Sequence, residues 1–414
     1  MRRRDALGAL AALTSVGAGC TRREDGRVVA TLWFSYGGKN REVLLDLVGR
    51  FNASQSRFRV VPTYQGDYFE ALAKVRTALA AGVAPTFTHV VGEVVPYLAQ
   101  AGVLEPLAGR EGASSLALVP ELAQAGAFAG GDREPLVAVP FNRSTPIMLA
   151  NQDALAKHGV EPPRTWDELR ASAARFVRGG SEFGFEVPIS WWFWVAMVGQ
   201  AGGSVVAADG SATLGGEAGV RALRFWQDLV HRDRSMRPPP GRDYNAWQAT
   251  NQDFLSGRVP LIWTSTAFLR YLEETARFPV RAVALPRDVR SAVPTGGTFF
   301  VLLKGAPEPE KEAAWAFLRF MCDTEQTIDW ATRTGYLPVT TRAIETLKSR
   351  GFYAKHPNDA VALAQLPDVQ PWPWSPGLFR IQREIVEPRL EDAVLLDRDP
   401  QSVLDEARVA ARET

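Results

Sequence analysis

Two patterns of apolar and polar positions alternate along the chain from residue 28 onward. Continuous apolar runs predict buried strands at residues 28–34, 58–64 and 86–91. Apolar residues spaced three and four apart predict helices at 39–54 and 68–82, and a further helix follows the third strand. Strands that alternate with helices predict a parallel sheet with helices on both faces, and such sheets bind ligands at the carboxyl ends of their strands.

A strand-like run over residues 137–151 contains Pro140 and Pro146 and interrupts this rhythm. Because proline disrupts a central strand, we predict that the chain crosses here from one domain to another. A second α/β region follows, with predicted helices at 165–178, 217–232 and 246–256 and a strand at 259–265. The turn-forming residues 294–297 predict a second crossing, back to the first domain.

The length and composition of the chain agree with two domains rather than one. A chain of 414 residues is longer than one hydrophobic core usually supports. Apolar residues make up 46% and charged residues 22%, as in ordinary globular proteins. The formal net charge of +1 shows no basic excess, so the sequence predicts no nucleic-acid partner.

The N-terminus has the parts of an export signal. Arginines at positions 2–4 precede an apolar run at 6–16, and small residues at 17–19 precede Cys20. This order predicts a signal peptide over residues 1–20, followed by a polar tether at 21–27. Small residues directly before a cysteine resemble a bacterial lipobox, which implies a lipid on Cys20. A plain signal with a chance cysteine is the alternative, and the choice between general secretory and twin-arginine export stays open.

The remainder of the chain is expected to be soluble. No later apolar run reaches the roughly 20 residues that span a bilayer. We therefore expect an exported protein, in the periplasm or at the cell surface, anchored to the membrane through Cys20. The other cysteine, Cys322, lies in an amphipathic helical stretch, where it is expected to be a buried apolar residue.

Sequence motifs for catalysis and for cofactors are missing. The chain contains neither of the glycine-rich nucleotide-binding patterns nor the GxSxG nucleophile elbow. The four histidines are far apart and do not predict a zinc site. We therefore expect no cofactor, no metal and a binding protein rather than an enzyme. An exported hydrolase stays an alternative, because two catalytic carboxylates can come from anywhere in a chain.

A resemblance to a known family is carried by residues 61–68, 140–146, 163–169, 334–340 and 351–353. Together these stretches resemble the extracytoplasmic solute-binding proteins of ABC importers, of the carbohydrate-binding class, and within it the glycerol-3-phosphate-binding proteins. The resemblance implies an α/β fold of two lobes, with a ligand cleft between them and at least two crossing segments. The implied lobes are residues 28–142 plus 296–340 and residues 143–295 plus 341–410.

The same resemblance implies a function. A monomeric protein of this kind would capture glycerol-3-phosphate, or a glycerophosphodiester such as glycerophosphocholine, and deliver it to the subunits of an ABC permease. A neutral oligosaccharide is the alternative ligand, since the same fold and its tryptophans would serve that ligand equally well.

Individual ligand-binding residues also carry over from the family. The resemblance implies ligand contacts from Tyr68, Glu93, Ser144, Ser265, Gly297 and Tyr336. Of these, Glu93 would accept hydrogen bonds from glycerol hydroxyls, and Ser144 and Tyr336 would lie near the phosphate. The phosphate-binding arginine would be Arg383 by one count along the family pattern and Arg380 by another. An arginine fork with hydroxyl donors suits a phosphate group.

Three tryptophans, Trp191, Trp192 and Trp194, are candidate stacking rings. The family carries two ligand-stacking tryptophans three residues apart, a spacing shared by Trp191 and Trp194, which would place both on one helix face. Matching the downstream pair of glycines instead puts Trp192 at a stacking position. An aromatic core cluster that never contacts the ligand is the remaining interpretation.

Overall fold

The structure is a computed structural model that describes residues 23–127, 136–177, 183–207 and 211–412. The strands in these ranges are β1 Arg23–Glu24, β2 Arg27–Phe34, β3 Phe58–Tyr64, β4 Phe87–Val91, β5 Val139–Ser144, β6 Pro146–Asn151, β7 Phe185–Glu186, β8 Leu261–Ser265, β9 Val280–Val283, β10 Val293–Pro294, β11 Gly296–Leu302 and β12 Val369–Gln370. The α-helices are α1 Gly38–Ser54, α2 Tyr68–Ala80, α3 Val95–Gln100, α4 Pro120–Ala127, α5 Gln152–His158, α6 Trp166–Phe176, α7 Trp191–Gln200, α8 Glu217–Gln227, α9 Asp243–Leu255, α10 Leu269–Thr275, α11 Glu308–Cys322, α12 Thr324–Thr334, α13 Thr341–Ser349, α14 Phe352–Lys355, α15 Pro357–Ala364, α16 Leu378–Arg380, α17 Glu387–Leu395 and α18 Pro400–Ala411.

The first sheet is mixed rather than wholly parallel. β2 lies between β3 and β4, and both pair with it in parallel. β11 lies between β4 and β5 and runs antiparallel to each of them. The predicted parallel pairing of the first three strands is confirmed, and β11 joins them as an antiparallel strand. This strand returns from the second region of the chain, so its direction is not set by the strand–helix rhythm that orients the first three strands.

The amphipathic pattern of the first helix is confirmed. α1 buries Val43, Leu44, Leu47, Val48 and Phe51, which are the apolar positions of the helical pattern. α2 begins with a complete capping box, in which the carboxylate of Asp67 accepts from the N–H of Glu70 and the Glu70 side chain accepts from the N–H of Asp67. This cap fixes where α2 begins and so places Tyr68 in its first turn.

The second sheet has the order β7, β8, β6, β9. β6 pairs antiparallel with β8 and β9, and β7 pairs in parallel with β8. Side chains from these strands and the neighbouring helices form a compact apolar core, including Ile147, Leu149, Phe254, Ile262 and Leu269.

The chain crosses between the two sheets through short segments. β5 ends at Ser144 in the first sheet, and β6 begins at Pro146 in the second, so only Thr145 separates them. On the way back, β10 pairs with β12, and β11 enters the first sheet at Gly296. These crossings agree with the predicted two-lobe α/β fold, and both coincide with the proline-containing stretches of the sequence.

A third crossing lies among the C-terminal helices. α13 and α14 pack with α12, whereas α15 packs against β9 of the second sheet. α17 and α18 then pack on α8. The lobe boundaries stay a prediction. Because α13 packs with α12 of the first lobe, the boundary predicted at residue 340 is better placed near residue 356.

The predicted tether is corrected at its C-terminal part. Arg23 and Glu24 form β1, which pairs antiparallel with the start of β2. The turn between them contains Asp25 and Gly26, with φ of 53° and 76°, the left-handed backbone that an Asp-Gly hairpin turn needs. The predicted signal peptide at 1–20 and the lipid on Cys20 lie outside the described residues.

Two further expectations concern membrane spans and the second thiol. None of the helices in the described ranges is long and apolar enough to cross a bilayer. Cys322 is a free, buried thiol at the end of α11, as predicted. Burial raises the pKa of this thiol to about 12, so it stays protonated at neutral pH.

Candidate ligand-binding cleft

The candidate cleft lies where β5 and β11 run side by side at the junction of the two lobes. Three residues that are predicted to bind ligand lie at the ends of helices and strands near this junction. Tyr68 begins α2, Glu93 follows β4 in the short turn Gly92–Val94, and Tyr336 follows α12. The N–H of Leu337 donates to the carbonyl of Arg143 at 2.8 Å, which holds the Tyr336 segment against β5.

A chain of hydrogen bonds determines which atoms of the site donate and which accept. The N–H of Ser35 donates to Nε2 of His89 at 2.9 Å, so the ring proton of His89 lies on Nδ1. Nδ1 in turn donates to Oγ1 of Thr298 at 2.8 Å, and that hydroxyl donates to Oδ1 of Asn142. Burial lowers the pKa of His89 to about 3, so this ring is neutral at physiological pH.

Asn142 extends this chain to two tyrosines. Its Oδ1 also accepts from the N–H of Thr298 at 2.7 Å, which orients the amide. Nδ2 therefore donates to Oη of Tyr68 at 3.1 Å and to Oη of Tyr336 at 3.3 Å. Burial raises the pKa of both phenols, so both keep their protons. Even where one hydroxyl donates to the other, at least one phenol proton is left to donate to a further acceptor.

Glu93 is the acidic residue of the cleft. Its side chain is partly exposed, and burial raises its pKa to about 7, while nearby Arg143 acts in the opposite direction. An ionised carboxylate at this position accepts hydrogen bonds from hydroxyl groups. No group of three or more histidine, cysteine and acidic side chains that suits a metal occurs in the ranges that the structure describes.

Arg143, next to Asn142, is a buried charged residue that sequence reasoning missed, although it lies within the 140–146 stretch. The side chain is 1% exposed. Nη2 donates to Oγ1 of Thr295 at 2.6 Å, and the guanidinium carbon lies 4.3 Å from the ring centre of Phe299. Nε and Nη1 are buried and have no hydrogen-bond partner in the described part of the chain. The signal in the sequence was a charged residue in a strand that is otherwise buried.

Gly297 lies where β11 crosses beside β5, for a steric reason. Its φ is 83°, and a Cβ there would lie 1.7 Å from the carbonyl oxygen of Asn142. Only glycine allows β11 to approach β5 so closely. A Cβ on the neighbouring Gly296 would lie 2.8 Å from Cζ2 of Trp192 and 3.0 Å from Oγ of Ser144. Ser144 and Trp192 therefore lie against the same crossing strand.

The three tryptophans separate in the structure. Trp191 and Trp194 are fully buried, with ring centres 5.7 Å apart, and Trp191 also stacks on Trp372. These two rings belong to the core of the second lobe, so the pairing of Trp191 with Trp194 as stacking rings is corrected. Trp192 keeps exposed area and points to the crossing strands. The alternative alignment, which favoured Trp192, agrees with this arrangement.

Ser265 lies on the second-lobe side of the crossing. It pairs with Pro146 across the β6–β8 ladder. Its Oγ accepts from the N–H of Ala267 at 3.2 Å, so the hydroxyl caps the following turn. The hydroxyl proton remains available as a donor, because capping uses only the oxygen as an acceptor.

The two candidate arginines differ in position. The guanidinium carbon of Arg383 lies 3.9 Å from the ring centre of Phe69, next to Tyr68 in the sequence, and its Nη1 pairs with Glu387 at 2.5 Å. Arg380 is more exposed and pairs with Glu384 at 2.9 Å. The structure thus brings Arg383 beside α2 at the cleft edge and leaves Arg380 at the surface.

Aromatic residues that sequence reasoning did not single out also line this region. Tyr36 has φ of 84° at the carboxyl end of β2, and its ring centre lies 5.2 Å from that of His89. From the second lobe, Trp247 of α9 lies 5.6 Å from Trp192 and 5.9 Å from Phe268, measured between ring centres. We call Trp192, Tyr244, Trp247 and Phe268 the aromatic wall.

Comparison with known proteins identifies the family. The family described as bacterial extracellular solute-binding protein matches residues 46–358. The chain belongs to this family of bacterial extracellular solute-binding proteins. This membership agrees with the cleft between two lobes, and the family match spans both sheets.

Individual members of the family are similar over nearly the whole chain. The sn-glycerol-3-phosphate-binding periplasmic protein UgpB of Yersinia enterocolitica is 26% identical over 398 residues, which cover 91% of this chain and 89% of that protein. The crystal structure of UgpB from Mycobacterium tuberculosis in complex with glycerophosphocholine has a TM-score of 0.80 at 24% identity, covering 92% of this chain and 97% of the other. An ABC substrate-binding protein from Listeria monocytogenes in complex with cycloalternan has a TM-score of 0.81 at 18% identity, covering 93% and 98%. These similarities confirm the predicted two-lobe fold and the resemblance to glycerol-3-phosphate-binding proteins.

Proposed function

We propose that this solute-binding protein serves an ABC importer and that its ligand is a phosphorylated glycerol, either glycerol-3-phosphate or a glycerophosphodiester such as glycerophosphocholine. The observation that carries the proposal is the direction of the hydrogen bonds around Asn142. Because Nδ2 of Asn142 donates to Tyr68 and Tyr336, at least one phenol proton is left to donate to a further acceptor, and a bound ligand can supply that acceptor. Phosphoryl oxygens are strong acceptors and suit such a donor.

Glu93 accepts hydrogen bonds where the two tyrosines donate them, and this supports a ligand that also carries hydroxyl groups. An ionised Glu93 accepts from vicinal hydroxyls, whereas the tyrosines supply donors. A glycerol phosphate has hydroxyls at one end and an anionic acceptor at the other. The two kinds of protein group match the two ends of that molecule.

The relatives support the same ligand class. The Yersinia relative is named for glycerol-3-phosphate, and the Mycobacterium relative was solved with glycerophosphocholine. At 26% and 24% identity these names do not decide the ligand of this chain. The chemistry of the cleft is therefore the basis of the proposal, and the relatives make it more specific.

A neutral oligosaccharide is the second candidate, and the aromatic wall favours it. Aromatic faces cover the C–H side of sugar rings, and the Listeria structure of the same fold holds cycloalternan. The wall also suits the choline cation of glycerophosphocholine, because aromatic faces attract quaternary ammonium groups. The ligand test below distinguishes the two.

Localisation and partners complete the proposal. We propose export with the signal at residues 1–20, a lipid on Cys20, and a monomer that delivers its ligand to the permease subunits of an ABC transporter. We propose no enzymatic activity, in keeping with the relatives, which are described as binding proteins.

Calorimetry with the purified protein tests the ligand. We expect binding of glycerol-3-phosphate, glycerophosphocholine or both, and weak or no binding of maltose. The double variant Y68F/Y336F keeps both rings but removes both hydroxyls, so it should lose at least about tenfold in affinity for the phosphorylated ligand, as for a hydrogen bond to a charged group. The matched control is Y97F, because Tyr97 lies on α3, where its ring is next to the guanidinium of Arg76. Binding of maltose alone would overturn the phosphate proposal in favour of the oligosaccharide.

A further inference from the structure

We propose that Glu186 of β7 and Asp253 of α9 share one proton, and that loss of this proton loosens α9 and the residues of the aromatic wall that α9 carries. The inference goes beyond the proposed ligand and concerns the second lobe. It starts from Glu186, whose side chain is 0% exposed. Neither of its carboxyl oxygens has a hydrogen-bond partner in the described part of the chain, and the hydroxyl of Thr250, one turn before Asp253 on α9, is also buried without one.

The arrangement of neighbouring elements brings Asp253 to Glu186. β7 pairs in parallel with β8, and α9 packs on β8. On the other edge of β7, Phe185 forms a bridge with Met236. The next residues along the two segments, Glu186 and Arg237, therefore lie side by side, and Nη2 of Arg237 is 3.9 Å from Oδ2 of Asp253. In this arrangement the two carboxyls lie within hydrogen-bonding reach of each other.

The charged groups around the pair come from α9 and from the segments that flank it. Burial and the negative charge of Asp253 raise the pKa of Glu186 to about 8, whereas Arg237 acts in the opposite direction. Arg258 pairs with Oδ1 of Asp253 at 2.5 Å. The positions of β8 that pair with β7 are apolar. Because both arginines contact Asp253, we assign the proton of the pair to Glu186.

One proton gives the pair the hydrogen-bond donor that it lacks. Two ionised carboxyls cannot donate to each other, and their like charges repel. When Glu186 is protonated, its O–H donates to Asp253, and the buried negative charge falls from two to one. The two carboxyls then titrate as one unit. Since one belongs to β7 and the other to α9, the shared proton holds α9 on the second sheet.

α9 connects this pair to the cleft. The helix carries Tyr244 and Trp247 of the aromatic wall, and the ring of Trp247 lies 5.6 Å from that of Trp192. Trp192 belongs to α7, which begins shortly after β7. Repulsion between Glu186 and Asp253 therefore acts on both elements that carry the facing rings of Trp192 and Trp247.

The protonation of Glu186 can be measured directly. In protein labelled with ¹³C-glutamate, the carboxyl signal that is missing in E186Q belongs to Glu186, and it should titrate with a midpoint near pH 8. D253N removes the negative neighbour, so it should lower this midpoint; it also serves in place of E186Q if that variant does not fold. A midpoint near the usual value of 4.5 in the wild type would overturn the inference.

Tryptophan fluorescence reports the movement of α9. Between pH 6 and pH 9 the wild type should show a change with the midpoint of Glu186. E186Q, which stays neutral and still donates to Asp253, should lack this change, and W247F should show much less of it. The control E217Q removes an exposed glutamate from α8 of the same lobe and should keep the change. A change that persists in E186Q, or in full in W247F, would contradict the release of α9. Neither measurement needs a ligand, so both decide the inference even where the proposed function fails.

Calorimetry with glycerophosphocholine then measures the effect on binding. If only the protonated form binds, the wild type should lose about tenfold in affinity between pH 7 and pH 9, because the competent fraction falls by that factor. E186Q should stay within about threefold over the same range. Glu93 titrates in both proteins, so its effect cancels in the comparison. An equal loss in E186Q would overturn the link to the cleft.

A metal ion could occupy the pair in place of the proton, since carboxyl and hydroxyl oxygens also bind calcium. Thermal unfolding at pH 8.5 with and without calcium separates the two. We expect no calcium-dependent rise in melting temperature. A rise that occurs in the wild type and is absent in E186Q would overturn the shared proton in favour of a cation.

Discussion

Two backbone N–H groups determine which side-chain atoms of the cleft donate hydrogen bonds and which accept them. The N–H of Ser35 makes Nε2 of His89 an acceptor, and the N–H of Thr298 makes Oδ1 of Asn142 an acceptor. Backbone donors cannot change roles, so the side chains that receive their hydrogen bonds are fixed in orientation and proton position. The donor character of Tyr68 and Tyr336 is a consequence of these two bonds, since it passes to them through Asn142.

Glu93→Gln should stabilise the free protein at alkaline pH. Burial raises the pKa of Glu93 to about 7 from its usual value of 4.5. A carboxyl with a raised folded-state pKa destabilises the fold above that pKa and loses this effect as the pH falls towards the unfolded value. At pH 8 the variant should therefore have the higher melting temperature, with a gain of roughly 1–3 kcal/mol. At pH 5 the difference should be much smaller.

Thermal unfolding at the two pH values measures this effect. An equal melting-temperature difference at pH 8 and pH 5 would contradict the raised pKa. Glu121→Gln, in the first turn of the separate helix α4, is the control for a general effect of removing one negative charge.

For helices and strands, the ends are set mainly by capping and turn residues close by in the sequence. The points where a strand crosses between the lobes depend instead on residues that adopt unusual backbone angles. The capping box of α2 and the Asp-Gly turn after β1 are local signals of this kind. The pairing of β11 with β5 is different, because its register shifts between Gly297 and Phe299. This irregularity lies beside Asn142 and is possible only with glycine at 297.

Gly297→Ala should distort the crossing of β11. The residue has φ of 83°, and the new Cβ would lie 1.7 Å from the carbonyl oxygen of Asn142. Left-handed backbone alone costs a residue with a Cβ about 1–2 kcal/mol, and the steric overlap adds to that cost. We expect a clear fall in melting temperature together with weaker ligand binding. Gly305→Ala is the matched control, since its Cβ would meet no atom within 4 Å; equal melting temperatures for both variants would contradict the steric argument.

At the scale of the whole molecule, the two lobes touch through a few charged groups away from the crossing strands. Lys39 of α1 in the first lobe pairs with Glu274 of α10 in the second. Arg270, also on α10, donates from Nε to the carbonyl of Thr332 in α12 at 3.0 Å and pairs with Asp359 of α15 at 2.9 Å. Two-lobe binding proteins close around their ligands by hinge motion, so contacts of this kind favour the closed arrangement.

Lys39→Glu should weaken ligand binding although Lys39 is not a cleft residue. The substitution replaces an attractive pair between the lobes with a repulsive one. Partly exposed ion pairs contribute about 0.2–1 kcal/mol, so the Kd should rise roughly 1.5- to 5-fold at low ionic strength and less at high salt. The double variant K39E/E274K restores the opposite charges and should recover most of the affinity.

Calorimetry at low and high salt measures the change. Arg350→Glu is the control, because Arg350 pairs with Glu325 of α12 in the first lobe, away from the second sheet. A K39E protein with wild-type affinity at low salt would show that this pair does not differ between the open and closed arrangements.

The local elements and the class of protein could be predicted from the order of residues alone. Strand and helix periodicity predicted α1, β3 and the crossings at the proline-containing stretches, because period and breakers depend on neighbouring residues. The family resemblance directed attention to Tyr68 and Tyr336, whose hydroxyls both accept from the amide of Asn142 in the structure. Their role as ligand contacts, and that of Glu93, stays a prediction.

Tertiary packing sets the direction of β11, the separation of Trp192 from Trp191 and Trp194, and the contacts of Arg143 with Thr295 and Phe299. Each of these depends on partners far away in the sequence. Arg143 and Thr295, for example, are 152 positions apart. Periodicity predicts which face of a helix or strand is apolar. It does not predict which residues, distant in the sequence, will contact that face or a charged side chain on it. Packing between the lobes therefore sets the chemistry of the cleft.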